Sequence, residues 1–187
     1  MGIVVKTVKE HLIDDATILD VCCGNGISII EGNFVYKKIT GVDVYRPYLD
    51  EYLRTIPNSE VIQQDVSKEP LSNFPDNSYD IVMCLDGVEH LERDSAILLM
   101  ENFERIARKK VIVFTPENIE DPNVPTLNHP KDAWGIKGGD EFQIHRSAFP
   151  RTYFKERGWD VHEVWLAKNV YDNTKYYEML YTKEINK

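Results

Sequence analysis

The feature that most constrains the fold is a short apolar run that leads directly into a turn with two glycines. The run is Ile18-Leu19, and the turn follows as Asp20-Val21-Cys22-Cys23-Gly24-Asn25-Gly26. Glycine has no Cβ and adopts positive φ without strain, so Gly24 and Gly26 allow the backbone to turn sharply and to lie close to a ligand. A helix beginning after the turn would point free N–H groups at that ligand. The segment therefore predicts a strand-turn-helix unit with a ligand site at its turn.

A second apolar run, 39–42, ends in Asp43, seventeen residues beyond Gly26. In nucleotide-binding βαβ units a carboxylate at this place accepts hydrogen bonds from ribose hydroxyls. The dinucleotide fingerprint also needs a third glycine three residues after Gly26, where this chain has Ile29. The pattern favours a nucleoside ligand and disfavours a dinucleotide with its pyrophosphate.

The rest of the chain alternates between helical and strand patterns. Apolar residues recur at helical spacing in 4–12, 47–56 and 95–108, whereas runs typical of strands lie at 60–64, 79–85 and 111–114. Segments 161–166 and 176–182 have the pattern of two strands whose connection is short enough to make them antiparallel. Strands that alternate with helices predict a doubly wound, mostly parallel sheet.

Four strings occur in order along the chain: ILDVCCGNGIS from Ile18, GVD ending at Asp43, NSYDIV at 77–82 and LDGVEHL at 85–91. This series resembles the motifs of class I S-adenosylmethionine-dependent methyltransferases, with Cys22 standing where that family most often has its first glycine. The resemblance implies a Rossmann-like α/β fold with a doubly wound, mostly parallel seven-stranded sheet. It also implies an antiparallel C-terminal strand that inserts beside the fifth.

The cofactor that the resemblance implies is S-adenosyl-L-methionine, with S-adenosyl-L-homocysteine as product. Asp43 would bind the ribose, and Asp65 would accept a hydrogen bond from the adenine amino group, although an aspartate before Ser67 is also common turn chemistry. Asp80 opens a strand at the other edge of the sheet, so a structural role is expected for it. The expected cofactor-binding residues are Asp20, Cys22, Gly24, Asn25, Gly26, Asp43, Val44, Asp65, Val66 and Leu85.

Methyl transfer from a sulfonium needs little covalent machinery, because the protein mainly aligns the acceptor and excludes water. A hydroxyl acceptor must also lose a proton, and histidine is the natural base near neutral pH. His145 and His90 are the catalytic candidates, and a surface or packing role for either remains open. The segment 116–143 has little periodicity, which is typical of a functional loop. It is expected to form a substrate lid in which His129, Trp134 and Glu141 contact the acceptor.

Composition restricts the remaining function classes. A formal charge of −9 makes nucleic acid an improbable partner. Three cysteines cannot build a disulfide framework, and no further cysteine or histidine lies at ligand spacing from Cys22-Cys23, so no metal site is expected. The pattern shows no membrane span and no signal peptide, which favours a cytoplasmic protein. At 187 residues, one domain over 1–187 is expected.

The sequence therefore favours an S-adenosylmethionine-dependent methyltransferase that modifies oxygen or nitrogen of a small-molecule acceptor, such as a sugar or another metabolite. Two alternatives stay open. One is a module that binds the cofactor without turnover, and the other is a nicotinamide-dependent Rossmann oxidoreductase. The oligomeric state is not determined by the sequence.

Overall fold

A computed structural model describes residues 2–126, 138–168 and 174–186. The helices and strands follow one another as α1 Gly2–Glu10, β1 Thr17–Val21, α2 Ile27–Gly32, β2 Lys38–Asp43, α3 Arg46–Thr55, β3 Ser59–Gln63, β4 Tyr79–Leu85, α4 Arg93–Ile106, β5 Ala107–Asn118, α5 Arg151–Lys155, β6 Asp160–Lys168 and β7 Lys175–Glu184. Short 3₁₀ turns lie at Val88–His90 and Asp140–Phe142.

The strands form one seven-stranded sheet in the order β3-β2-β1-β4-β5-β7-β6. Strands β1 to β5 pair in parallel, and β7 is antiparallel to both of its neighbours. The predicted fold class is confirmed, as is the insertion of the last strand beside β5. Strand order reverses between β1 and β4, and ligands of open α/β sheets bind beyond the carboxyl ends of the strands at such a point.

Helices cover both faces of the sheet because successive strand residues point to opposite sides and both sides are apolar. On β1, Leu19 packs into a core that includes Leu99 and Phe103 of α4. Its neighbour Ile18 packs into a second core that includes Val8 of α1 and Tyr52 of α3. Because one core covers each face of the sheet, β1 is buried on both sides, which explains its continuous apolar run in the sequence.

The structural role expected for Asp80 is confirmed at the amino end of β4. Its carboxylate accepts hydrogen bonds from the Thr17 amide at 3.0 Å and hydroxyl at 2.9 Å. Arg108 and Lys109 form ion pairs with the same carboxylate at 3.3 Å and 3.1 Å. Although burial opposes ionisation, these contacts hold the pKa of Asp80 well below its usual range. The residue fastens β4 to β1 and β5 at the edge opposite the expected ligand site.

The start of the segment 116–143 is more regular than its sequence suggests. Residues 116–118 continue β5, with Pro116 opposite Glu178 and Asn118 opposite Tyr176 of β7. The proline suggested that the strand ends earlier, but pairing with the long β7 extends it. Within the described residues, no helix combines the length and the apolar character needed to cross a membrane.

Candidate active site

A cavity of about 690 Å³ opens at the carboxyl edge of the sheet, on both sides of the β1-β4 switch point. A volume of this size suits a small-molecule ligand. Most residues predicted to bind a cofactor or substrate or to act in catalysis lie on its wall: Cys22, Gly24, Asn25, Asp43, Val44, Asp65, Val66, Leu85, His90, Glu141 and His145. The strand ends bring these residues together from distant parts of the chain.

The turn after β1 uses left-handed backbone at three positions, with φ of +56° at Cys22, +53° at Gly24 and +79° at Gly26. Cys22 thus adopts the conformation that favours glycine, at the position where the resembling family usually has one. A Cβ added to Gly24 would meet nothing within 4 Å, whereas one added to Gly26 would lie 2.9 Å from Ile56 and from Tyr52. Gly24 leaves room in the cavity, and Gly26 lets α3 pack against the turn.

Asp43 ends β2 and faces the cavity. One carboxylate oxygen accepts the Gly24 amide at 2.9 Å, and the other accepts the Tyr45 amide at 2.9 Å. Burial raises the pKa of Asp43 from its ordinary value, while these amide hydrogen bonds oppose the rise. Each carboxylate oxygen offers two lone pairs, so both retain acceptor capacity for a ligand hydroxyl.

Asp20 and Gly26 differ from the other predicted cofactor residues because they shape the turn without lining the cavity. Asp20 is only 4% exposed, and the Tyr52 hydroxyl donates a hydrogen bond to it at 3.1 Å. Burial raises the pKa of Asp20 to about 7, and the nearby charge of Asp43 contributes in the same direction. Sequence reasoning placed both residues at the ligand because it could not see that α3 covers this side of the turn.

Asp65 lies on the cavity wall with its carboxylate turned into a local network. It accepts the Ser67 amide at 3.1 Å and forms an ion pair with Lys68 at 2.8 Å. Although partial burial raises the pKa of Asp65, Lys68 and Ser67 together lower it below the ordinary value. Its neighbour Val66 is buried and adds an apolar part of the same wall. Both sequence-based interpretations of Asp65, turn residue and ligand contact, therefore fit its position.

A cluster of acids and histidines occupies the part of the cavity that follows β4. Glu89 is 2% exposed, and the Thr115 hydroxyl donates to its Oε2 at 3.1 Å. The rings of His90 and His145 lie 4.9 Å apart between centroids. One potential ligand atom from each of Glu89, His90 and His145 lies within 4.8 Å of the other two. The sequence search for metal ligands considered only short spacings and so missed this group.

Two further carboxylates extend the cluster. Asp86 hydrogen-bonds the Glu89 side chain, and Glu178 reaches the same cavity from β7. Asp86 lines the cavity wall, and its side chain is exposed there. Burial and the charge of Glu178 raise the pKa of Asp86 to about 7. Burial and the charge of Asp86 raise the pKa of Glu89 well above its usual range.

Backbone hydrogen bonds fix the segment that carries His145 to the 3₁₀ turn that carries Glu89 and His90. The amides of Arg146 and Ser147 donate to the Glu89 carbonyl at 2.8 Å and 3.1 Å. The Arg146 guanidinium donates to the His90 carbonyl at 2.7 Å and to the Glu141 carbonyl at 2.7 Å. His145 therefore meets residues that precede it by more than fifty positions in the sequence.

Not every expected substrate contact can be located. Glu141 lines the cavity, as a residue of the expected lid should. His129 and Trp134 lie outside the described residues. Sequence reasoning did not select Asp86, Glu89 or Glu178, although the string LDGVEHL contains the first two of them. Only the antiparallel return of β7 brings Glu178 to this cavity, and no local pattern indicates it.

The model of one family, described as "Methyltransferase domain", matches residues 18–110, which include the glycine turn, Asp43 and the Glu89-His90 pair. Over these residues the chain carries a methyltransferase domain, and its sheet has the fold of the class I S-adenosylmethionine-dependent methyltransferases. Two curated relatives of this methyltransferase domain are the ubiquinone biosynthesis O-methyltransferases of Rickettsia bellii strains OSU 85-389 and RML369-C. Each is 29% identical over 122 residues, which cover 63% of this chain and 50% of the relative. The chain thus spans about half the length of the curated relatives it matches.

Solved structures, among them a methyltransferase, share the fold. Magnesium protoporphyrin IX methyltransferase (ChlM) from Synechocystis PCC 6803, with bound SAH, has a TM-score of 0.61 at 16% identity, covering 99% of this chain and 83% of that chain. DhpI in complex with SAH has a TM-score of 0.66 at 16% identity, covering 99% and 84%. TehB from Haemophilus influenzae has a TM-score of 0.65 at 14% identity, covering 98% and 61%.

Proposed function

We propose that the chain binds S-adenosyl-L-methionine in the cavity at the carboxyl edge and transfers its methyl group to a hydroxyl of a small-molecule acceptor. The observation that carries the proposal is the placement of two sets of residues on one cavity. The glycine turn and Asp43 lie at one part of its wall, and the Glu89-His90-His145 cluster lies at another. The first set suits a nucleoside, and the second suits an acceptor that must lose a proton.

The residues at the turn fit the nucleoside part of the cofactor. The side of Gly24 where a Cβ would stand is open, so backbone can approach a bulky ligand there. Asp43 would accept hydrogen bonds from ribose hydroxyls, and Asp65 remains the proposed acceptor for the adenine amino group. Val44, Val66 and Leu85 supply apolar wall for the base and ribose.

When bound, the sulfonium supplies an electrophilic methyl group, so that a C–O bond forms as the C–S bond breaks and S-adenosyl-L-homocysteine is left. His145 is suited to take the proton of the acceptor hydroxyl. Its Nδ1 lies 2.9 Å from the Thr126 hydroxyl oxygen and 3.1 Å from the Thr126 carbonyl oxygen. In the tautomer with the proton on Nδ1, that nitrogen donates to the carbonyl, and Nε2 has the lone pair that a general base needs. His90 lies beside it as the second candidate.

A hydroxyl is preferred to an amine as acceptor because the curated relatives are O-methyltransferases and because the cluster provides proton acceptors. A protein that only binds the cofactor would not need histidines beside buried carboxylates in the same cavity. The missing third glycine continues to disfavour a nicotinamide dinucleotide.

Calorimetry with S-adenosylmethionine, S-adenosylhomocysteine and NAD tests the cofactor. The protein is expected to bind the first two compounds and not to bind NAD. Binding of NAD with no binding of the other two would reject the proposal. A panel of phenols, sugars and other hydroxylated metabolites, offered with labelled cofactor, then tests transfer. Cofactor binding with no transfer to any acceptor would favour the binding module.

A His145→Gln variant should retain cofactor affinity and lose transfer. The control is His162→Gln, which should retain both, because the His162 ring hydrogen-bonds Thr182 at 3.0 Å and does not line the cavity.

A further inference from the structure

We propose that Glu89, His90 and His145 bind a single divalent transition-metal ion such as Zn²⁺ at the acceptor part of the cavity. Metal binding itself does not depend on the methyltransferase function, whereas the role given to the ion in transfer rests on that function. The ion would leave coordination positions open toward the cavity, where the acceptor hydroxyl is expected.

The geometry of the three side chains is compatible with one ion. Their candidate ligand atoms all lie within 4.8 Å of one another. Zinc bonds of about 2.0–2.2 Å place two ligand atoms of one ion about 3–4 Å apart. Small side-chain rotations would bring the three ligand atoms from within 4.8 Å to this shorter distance. The backbone need not move, because hydrogen bonds from the Arg146 and Ser147 amides and from the Arg146 guanidinium already hold the His145 segment against the 3₁₀ turn.

The groups around the ligands have the arrangement typical of metal sites. A ligating histidine usually donates its other ring N–H to a carbonyl, and a ligating carboxylate is itself hydrogen-bonded. In the tautomer with the proton on Nδ1, His145 donates to the Thr126 carbonyl at 3.1 Å, and Nε2 has the lone pair that a metal ion needs. The Thr115 hydroxyl donates to one oxygen of Glu89 at 3.1 Å. These contacts orient the imidazole and the carboxylate before any ion binds.

The charge of the cavity points to a cation. Asp86, Glu89 and Glu178 all line it, and Glu89 is almost fully buried. In the part of the chain that the structure describes, no ion pair joins a lysine or arginine to any of these three carboxylates. A buried carboxylate stays protonated unless a positive charge or a metal ion lies beside it. A dication at the Glu89-His90-His145 group would provide that charge and would displace the proton.

The donor atoms select the kind of ion. Two imidazoles and one carboxylate suit ions of borderline hardness, such as Zn²⁺, Co²⁺ or Fe²⁺, better than Mg²⁺ or Ca²⁺, which prefer oxygen ligands alone. Two histidines with one glutamate are also a known set for catalytic zinc, which keeps an open position. An acceptor hydroxyl in that position would become more acidic and lose its proton to water. In the ion-bound protein the histidines are thus ligands, and acidification by the ion replaces their role as base.

Metal binding is measured on the full chain after removal of metal with a chelator. We expect one Zn²⁺ per chain by calorimetry and at least about tenfold weaker binding of Mg²⁺. His145→Ala should weaken Zn²⁺ binding at least about tenfold. The matched control His162→Ala should not weaken it. Glu89→Gln, which keeps the size of the buried side chain, provides a second variant, and circular dichroism reports whether each variant folds.

Cobalt provides a readout that separates this site from the three cysteines. Co²⁺ bound by nitrogen and oxygen should give only visible ligand-field bands, whereas a thiolate ligand would add an intense near-ultraviolet charge-transfer band. That band, an absence of Zn²⁺ binding, or binding unchanged in folded His145→Ala and Glu89→Gln proteins would overturn the proposal. Cofactor affinity is measured on the same samples. Cofactor binding without Zn²⁺ binding rejects the metal site alone, and Zn²⁺ binding without cofactor binding rejects the proposed function alone.

Discussion

The Gly24 amide donates a hydrogen bond to Asp43 Oδ2 at 2.9 Å, which joins the turn after β1 to the end of β2. The two residues are nineteen positions apart, and each was selected from the sequence for a separate contact with a nucleoside. Their direct bond means that the ribose acceptor and the glycine turn form one preorganised unit. Changes to Asp43 should therefore affect both the carboxylate and the shape of the turn.

Replacing Asp43 with alanine should weaken S-adenosylmethionine binding by about 2 kcal/mol, or roughly 30-fold, because charge-assisted hydrogen bonds to the ribose would be lost. Calorimetry measures the affinity. Asp50→Ala is the matched control, since that exposed carboxylate on α3 pairs with Arg46 and is not on the cavity wall. Unchanged affinity in folded Asp43→Ala protein would show that the ribose binds elsewhere.

The two glycines of the turn should respond differently to alanine. Gly26→Ala should lower the free energy of unfolding by about 2 kcal/mol or more, because its φ of +79° is unfavourable for alanine and its Cβ would meet Tyr52 and Ile56 at 2.9 Å. Gly24→Ala should cost only about 1 kcal/mol of stability from its positive φ, but its Cβ would occupy cavity space and weaken cofactor binding. Urea denaturation and calorimetry on both variants separate the two effects. Equal changes in both quantities for both variants would contradict this assignment.

Asp20 should make stability depend on pH. Its folded pKa of about 7 is raised above the value of the unfolded chain, so the unfolded state ionises first as pH increases. The resulting loss of stability begins near pH 4 and is complete above about pH 7, where it amounts to on the order of 4 kcal/mol. Asp20→Asn should therefore stabilise the protein at pH 8 and leave stability at pH 4 nearly unchanged. Denaturation curves at both pH values test this, and an equal gain at both would exclude ionisation as the cause.

Tyr181 offers a test of an unsatisfied buried group. Its ring stacks on Phe154 with centroids 3.6 Å apart, while its buried hydroxyl has no hydrogen-bond partner among the described residues. Tyr181→Phe should keep the stacking and raise the free energy of unfolding by about 1 kcal/mol. Tyr52→Phe is the matched comparison, because it removes the hydroxyl that donates to Asp20 and should destabilise by about 1 kcal/mol. Destabilisation by Tyr181→Phe would indicate a partner for that hydroxyl.

The fold was predictable because its signals are local. The apolar runs that form β1, β2 and β4 are short and bounded, and the glycine turn follows the first of them. The ends of strands were harder to predict where strand pairing continues through a proline. Pro116 stays within β5 because it pairs with the long strand β7. Residue type alone gave no indication of the extended pairing.

The candidate site was predicted best at the ends of strands. Asp43 ends β2 and Val44 follows it, and parallel strands bring such positions to one edge. The contact of His145 with Glu89 depends on backbone hydrogen bonds from Arg146 and Ser147, which no spacing rule reveals. The burial of Asp20 depends on Tyr52 of α3, an equally distant residue. Contacts set by tertiary packing thus account for what sequence reasoning missed.

The insertion of β7 between β5 and β6 has a consequence for biosynthesis. Ribosomes deliver β7 after all other strands, so β6 has no partner in the sheet until the last strand has emerged. Glu178 and Tyr176 arrive with it and complete the cavity wall. A nascent chain halted before this point would hold the glycine turn and the histidines but lack a closed pocket, so ligand capture has to wait until β7 has been synthesised.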